Sequence, residues 1–152
     1  MNIATMLAEK NVDFELIPHP DTFEAQRMAQ QLHVSGRQVA KTVLLRVKEG
    51  SDFVVAVLPA NKIVDFDNVS GVLDGDKTEL ATELEVAQQC PDCETGVLPP
   101  FGSRYGMQTI VDESLTDDEC IFFEGNTHHE SIRMKFDDFQ RIEQPKITKF
   151  AK

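Results

Sequence analysis

Three groups of residues have types and spacing suited to chemistry. Lys41 opens the otherwise apolar run Val39-Ala-Lys-Thr-Val-Leu-Leu-Arg-Val-Lys48. A cation fixed at the entrance of a strand can hold a phosphate or polarise a carbonyl, although a strand-edge lysine is more often a solvated charge. Glu94-Thr-Gly-Val-Leu-Pro-Pro-Phe-Gly102 joins two glycines and two adjacent prolines to Val97, Leu98 and Phe101. Proline fixes φ and removes a donor, and glycine lets backbone approach another group. The stretch therefore suits a stiff loop whose peptide groups line a pocket. Periodicity alone favours a tight bend between two core strands, and the company of Lys41 and a histidine-bearing loop tips the reading toward a pocket. That loop, Gly125-Asn-Thr-His-His129, is the third group.

Cys90-Pro-Asp-Cys93 has the spacing of a redox or zinc half-site. Zinc needs a second ligand pair, and Cys120, His128 and His129 lie far off without matching spacing. A thioredoxin-like pair would follow the first strand of a βαβ unit, whereas this one follows a helical segment. The expectation is two half-buried thiols flanking a turn, with no metal and no cofactor. Redox sensing stays open as a weaker alternative. Three cysteines cannot all pair, which agrees with a reducing compartment.

The formal charge of −11 argues against broad nucleic-acid binding, because that affinity comes from neutralising phosphates. It leaves room for a protein that grips only the end of an RNA, which needs a few local cations and a pocket. Neither DNA nor a membrane is an expected partner. The longest apolar run, Phe53-Val-Val-Ala-Val-Leu58, is strand-sized against the roughly 18 to 20 residues of a membrane span. No basic segment precedes an apolar one near Met1, so a cytoplasmic location is expected. A chain of 152 residues has the length of one domain, and residues 1–152 are expected to form a single unit.

The elements that must position these groups follow from periodicity. Ile3, Met6 and Leu7 fall at helical spacing behind Asn2 as a cap, and Asp13 to Ile17 alternates as a strand. A second helix spans about Thr22 to Leu32, with Phe23, Ala25, Met28, Ala29 and Leu32 on one stripe and Gly36 stopping it. Val39–Lys48 and Asp52–Leu58 form a hairpin through Gly50-Ser51. Part of Asn61 to Gly75 is helical despite poor helix formers. A short strand at Lys77 to Leu80 and a helix over Thr82 to Gln89 come next. Met107 to Val111, Cys120 to Phe123 and Ser131 to Met134 read as strands, Asp112 to Glu119 as an acidic turn region, and Phe136, Phe139 and Ile142 as a helix stripe. Pro145 to Lys152 is a basic tail. Short helices around mixed strands imply an α+β domain with a curved, mixed, barrel-like sheet.

The ordered segments Ala40-Lys-Thr-Val-Leu44, Val57-Leu-Pro-Ala60, Gly96-Val-Leu-Pro-Pro-Phe-Gly102, Gly125-Asn-Thr-His128 and Ser131-Ile-Arg-Met134 resemble the YbaK/prolyl-tRNA synthetase editing-domain superfamily. The likeness runs over nearly the whole chain, and its most specific part is the strand-entrance lysine followed by a G-x-x-x-P loop, Gly96 to Pro100. The resemblance implies a free-standing, trans-acting aminoacyl-tRNA deacylase that removes a small amino acid from a mischarged tRNA. The 3′ end of aminoacyl-tRNA is then the ligand, and an aminoacyl-tRNA synthetase is a docking partner. It implies that Lys41, Gly96 and Pro100 carry the catalytic site, and that Thr42, Val57, Pro99, Phe101, Gly102, Asn126 and His128 bind substrate. Asn126 stands where many relatives have glycine, and His129 does not match.

Ester hydrolysis of this kind needs no protein nucleophile, and the chain has neither a G-x-S-x-G elbow nor an H-E-x-x-H motif. A placed water and donors at the developing oxyanion suffice, so no general base is assigned. Arg37, Lys41, Arg46, Lys62, Arg104 and Arg133 are candidate contacts to the RNA. The competing class is a tRNA- or synthetase-binding module of the same fold without hydrolysis.

Overall fold

The computed structural model of the protein describes residues 2–21, 25–50 and 52–152. The chain opens with α1 (Ile3–Glu9), where the Asn2 side chain accepts the Thr5 N–H and Ile3, Met6 and Leu7 turn inward. Strand β1 (Phe14–Pro18) leads to α2 (Ala25–Leu32), whose buried residues are Met28 and Ala29. The expected start of this helix, at Thr22 and Phe23, lies outside the described residues. The helix ends at Leu32 as expected, but His33 stops it, not Gly36. His33 takes φ 58° and the Val34 N–H closes on the Ala29 carbonyl at 3.0 Å. That left-handed cap ends the helix one residue after Leu32, without glycine.

The hairpin of β2 (Ala40–Val47) and β3 (Phe53–Pro59) places Lys41 opposite Leu58 and Thr42 opposite Val57. Helix α3 (Phe66–Val72) forms because Asp65 serves as its cap, accepting the N–H groups of Asp67 and Asn68. Strand β4 (Thr78–Leu80) pairs with the free edge of β2. Helix α4 (Glu83–Gln89) starts from a capping box made by Thr82 and Glu85. Next, β5 (Gln108–Asp112) runs parallel to β3, and β6 (Cys120–Glu124) pairs antiparallel with β7 (Glu130–Lys135). Helix α5 (Phe136–Glu143) follows. The basic tail is not an appendage: β8 (Lys146–Thr148) adds to β5 in parallel.

These strands make two sheets, an antiparallel β1-β7-β6 and a mixed β4-β2-β3-β5-β8. They meet where Val39 bridges Phe122, so the expected α+β architecture with a mixed sheet is present as two sheets joined at one corner. The largest core cluster lies on one face of β2 and β3, with Ala40, Leu44, Val55 and Val57 against residues of α1, β6, β7 and α5. Leu45, Val54, Ala56 and Leu58 point the other way, into a cluster with Val69, Ile110 and Phe150. Burial on both faces explains why β3 reads as an unbroken apolar run instead of an alternation. A third cluster packs Met28 and Ala29 against Val39, Ala60 and Phe122 beside the corner. No helix among the described residues is long and apolar enough to cross a membrane.

Candidate functional site

A cavity of about 490 Å³ opens beside that corner. This is within the usual range of roughly 300 to 1,000 Å³ for ligand pockets. The start of β2 supplies Lys41 and Thr42, α2 supplies Gln26 and Met28, and Gly96, Leu98 and Glu124 complete its polar and loop-borne wall. Ala40 and Ala60 keep the strand side small. Lys41 and the proline loop, 55 positions apart from Lys41 to Gly96, thus line one space. A second cavity of similar volume is lined by Asp52, Asp74 and Asp76, three carboxylates that would repel a phosphate.

Lys41 makes no hydrogen bond or ion pair with any described residue, and burial lowers its pKa below the ordinary lysine value. Two of the other expected cations are already engaged, and Lys62, Arg104 and Arg133 do not line the cavity. Arg37 is bound to Asp118 through two nitrogens, at 3.1 and 3.2 Å, and Arg46 pairs with Glu79 and Glu85. Lys41 is the cation whose charge is available inside the cavity.

The proline loop is built from a turn in which the Val97 N–H donates to the Glu94 carbonyl at 3.0 Å, with Gly96 at φ 85°. A turn of this kind places its third residue at positive φ, which glycine adopts without strain. The rest of the loop is internally bonded. Phe101 N–H reaches the Pro99 carbonyl at 2.8 Å and Gly102 N–H reaches Thr109 Oγ1 at 3.0 Å. Pro99 and Pro100 have no N–H to offer. The N–H groups of Gly96 and Leu98 remain without a partner among the described residues, and both residues line the cavity.

Of the expected site residues, the structure therefore gathers Lys41, Thr42 and Gly96. Val57 and Phe101 are fully buried in the core, where Phe101 meets Phe123 and Phe139 edge-on at 5.7 and 5.3 Å. Pro99 and Pro100 are buried beside it, and none of these four lines the cavity. Gly102 is likewise internal: a Cβ there would sit 2.6 Å from Thr109 Oγ1 and 2.9 Å from Val55 Cγ2. Its neighbours lock the loop, since Glu143 accepts from Ser103 N–H at 3.0 Å, Ser103 Oγ at 2.6 Å and Thr109 Oγ1 at 2.6 Å. The Asn126 side chain accepts the Ile3 N–H at 2.8 Å and donates to Cys93 Sγ at 3.4 Å, tying α1 to the loop. Neither Asn126 nor His128 lines the cavity.

His128 acts from behind the wall. Its Nε2 lies 2.7 Å from the Thr95 carbonyl and its Nδ1 lies 3.0 Å from Glu124 Oε2. A carbonyl only accepts, so Nε2 carries hydrogen. The remaining proton then lies between Nδ1 and the carboxyl group. Burial pushes the Glu124 carboxyl up to about 7, against the attraction of His128. Burial alone would lower the His128 pKa, but the Thr95 carbonyl and Glu124 together raise it. Sequence reading missed Glu124. The available signal was an acid at the end of a buried strand four residues before a histidine, with a glycine turn between them.

The cysteines differ from the expectation of free thiols. Cys90 and Cys93 are joined in a disulfide, with Cα atoms 5.6 Å apart. The turn in which Cys93 N–H donates to the Cys90 carbonyl sets a separation within the roughly 4.4 to 6.8 Å that the linkage needs. Among the described residues, Cys90, Asp92 and Cys93 are the grouping close enough to share a metal, and the disulfide occupies both sulfurs.

Comparison with known proteins bears on the fold and the family. Crystal structures with the same fold include a hypothetical protein, 16% identical, with TM-score 0.88 and 99% of each chain covered. Another is a candidate trans-editing enzyme for prolyl tRNA synthetase, 17% identical, TM-score 0.80, covering 91% of this chain and 87% of that one. A candidate signal transduction protein from Marinobacter aquaeolei VT8 is 18% identical with TM-score 0.72, and the match covers 97% of this chain but 30% of that one. At these identities the likeness establishes the fold alone. A search of curated protein sequences finds no match. The aminoacyl-tRNA editing domain family matches residues 19–142, which takes in α2, the β2–β3 hairpin, the proline loop and the histidine loop, and the chain belongs to that family.

Proposed function

We propose that the protein is a trans-acting deacylase that hydrolyses the ester of a mischarged tRNA carrying a small amino acid. The observation that carries this reading is the meeting on one cavity of a cation, Lys41, and two peptide N–H groups, Gly96 and Leu98, that have no partner among the described residues. Lys41 holds the terminal phosphate or ribose. The two N–H groups face the ester carbonyl and stabilise the oxyanion that forms when water adds. Removing one such donor typically costs about 10² to 10³ in rate. Pro99 and Pro100 act indirectly, by fixing the backbone that presents Leu98. Residues 1–152 work as one editing unit, and a synthetase supplies the mischarged tRNA.

Selectivity for a small amino acid follows from the volume. About 490 Å³ leaves limited room for the amino acid once an adenosine terminus is bound. One methylene distinguishes substrates by only about 1 to 3 kcal/mol, so small amino acids are the ones that synthesis rejects poorly and a second sieve removes.

The test is a panel of tRNAs charged with alanine, serine and larger residues, with release of free amino acid followed over spontaneous hydrolysis. Release from the small esters in preference to the large ones is expected. Binding of the charged tRNA with no release from any ester would overturn the deacylase and leave a binding module of the same fold.

A further inference from the structure

A carboxylate in a cavity meant for the end of an RNA needs a reason, because it repels every phosphate that approaches. Glu124 lines the cavity together with Lys41 and Gly96. Three observations define what it can do. First, one oxygen is fixed: His128 Nδ1 lies 3.0 Å from Oε2, and His128 is itself anchored at 2.7 Å to the carbonyl of Thr95, the residue before Gly96. Second, Oε1 has no hydrogen-bond partner among the described residues, while the Glu124 side chain keeps 26% of its exposure against 5% for His128. Third, Lys41 is not its partner, since no ion pair joins them within 4 Å among the described residues. The cavity thus presents the Lys41 ammonium and, held by His128, an acidic group with one free oxygen, and the two are not paired with each other.

An aminoacyl ester at an RNA terminus has the complementary polarity, with anionic phosphate at one end and an α-ammonium at the other. The geometry points to Glu124 as the acceptor of the substrate α-ammonium: Oε1 receives the amine, His128 holds the carboxylate in place, and the site takes esters whose α-amino group is free and discriminates against N-acylated ones. This rests on the deacylase reading and adds the part of the substrate that is read. His128 is then a positioning residue. It binds no substrate, and it couples the carboxylate to the turn that carries the Gly96 N–H. The simpler role for the pair, a strap between β6 and the proline loop, uses Oε2 alone and does not depend on what fills the cavity.

The experiment compares one aminoacyl-tRNA that the protein cleaves with the same tRNA after N-acetylation. A hydrogen bond to a charged group contributes about 1.5 to 3 kcal/mol, which corresponds to about 10- to 150-fold. The wild-type protein is expected to favour the free amine by that factor in kcat/KM. Glu124→Gln lowers cleavage of the free-amine ester toward the acetylated rate, so the discrimination collapses. Equal wild-type rates on the two esters overturn the assignment, as does a Glu124→Gln variant in which both rates fall together, the mark of a strap. A hydrolysis-resistant 3′-amide analogue of alanyl-adenosine, free or acetylated, separates this from the deacylase reading through binding alone. Preference for the free amine without cleavage of any tRNA removes the deacylase and keeps the carboxylate assignment. Equal affinity removes the assignment.

Discussion

Lys41→Met separates a charge kept for a ligand from a charge kept for the fold. Lys41 has no ion pair or hydrogen bond among the described residues, and burial alone lowers its pKa. A lysine whose pKa is lower in the folded chain than in the unfolded one binds its proton less well when folded, so at neutral pH the charge opposes folding. Methionine keeps most of the stem and removes that opposition. The variant's thermal midpoint is therefore expected to equal or exceed the wild type. Activity should move the other way. If the ammonium holds a phosphate or ribose oxygen, its loss removes a charge-assisted hydrogen bond of about 1.5 to 3 kcal/mol, or about 10- to 150-fold in kcat/KM. Salt gives an independent reading, because each phosphate contact on a single strand adds about 0.7 to the slope of log affinity against log salt. The variant's slope should be shallower by about that amount, and Lys41→Arg should recover the slope with partial recovery of rate. The assay is amino acid release under single-turnover conditions beside a thermal melt. Wild-type kcat/KM and salt slope in Lys41→Met would refute the reasoning, and so would a loss of activity that merely tracks a loss of stability.

Gly102→Ala should behave in the opposite manner, because its Cβ would meet Thr109 Oγ1 at 2.6 Å and the Met107 carbonyl at 3.1 Å. Overpacking of this kind costs about 1 to 3 kcal/mol, so the melt falls and activity falls only with the folded fraction; denaturant titration measures it. Asp112 sets an acid limb. Burial pushes its carboxyl up, but hydrogen bonds from Ser114, Ala151 and Phe150 outweigh burial and hold the pKa below the ordinary value. A carboxyl depressed in the fold stabilises above its unfolded pKa of about 3.9 and loses that contribution as pH falls through the folded value. Asp112→Ala should remove this dependence and, by releasing the buried N–H groups of Phe150 and Ala151, detach the C-terminal residues, as amide hydrogen exchange at those positions would report. Reducing the Cys90–Cys93 link, which closes a sequence separation of 3, should lower stability by about 2 kcal/mol on chain-entropy grounds. An activity that disappears on reduction while the melt barely moves would instead favour redox control.

The sequence by itself determined the order and type of nearly every element, because helix periodicity, caps and strand runs are local. Asn2 and Thr82 cap the helices they precede, and the run from Phe53 to Leu58 is a strand. It also marked Lys41 and Gly96, whose residue types are unusual in their positions. The tail was not legible, since three short residues of β8 form a strand only because β5 offers an edge and Asp112 binds the Phe150 and Ala151 N–H groups. Nor was the division within the proline loop. Nine neighbouring residues from Glu94 to Gly102 share one composition, yet the aromatic cluster takes Phe101, Thr109 takes the Gly102 N–H, and the cavity receives only Gly96 and Leu98. Glu124 and His128 stand only four positions apart, but the carbonyl of Thr95 that anchors His128 lies 33 positions away, beyond any local pattern. Backbone preference is set by neighbours along the chain. Which groups are left unpaired beside a cavity is set by everything that folds around it.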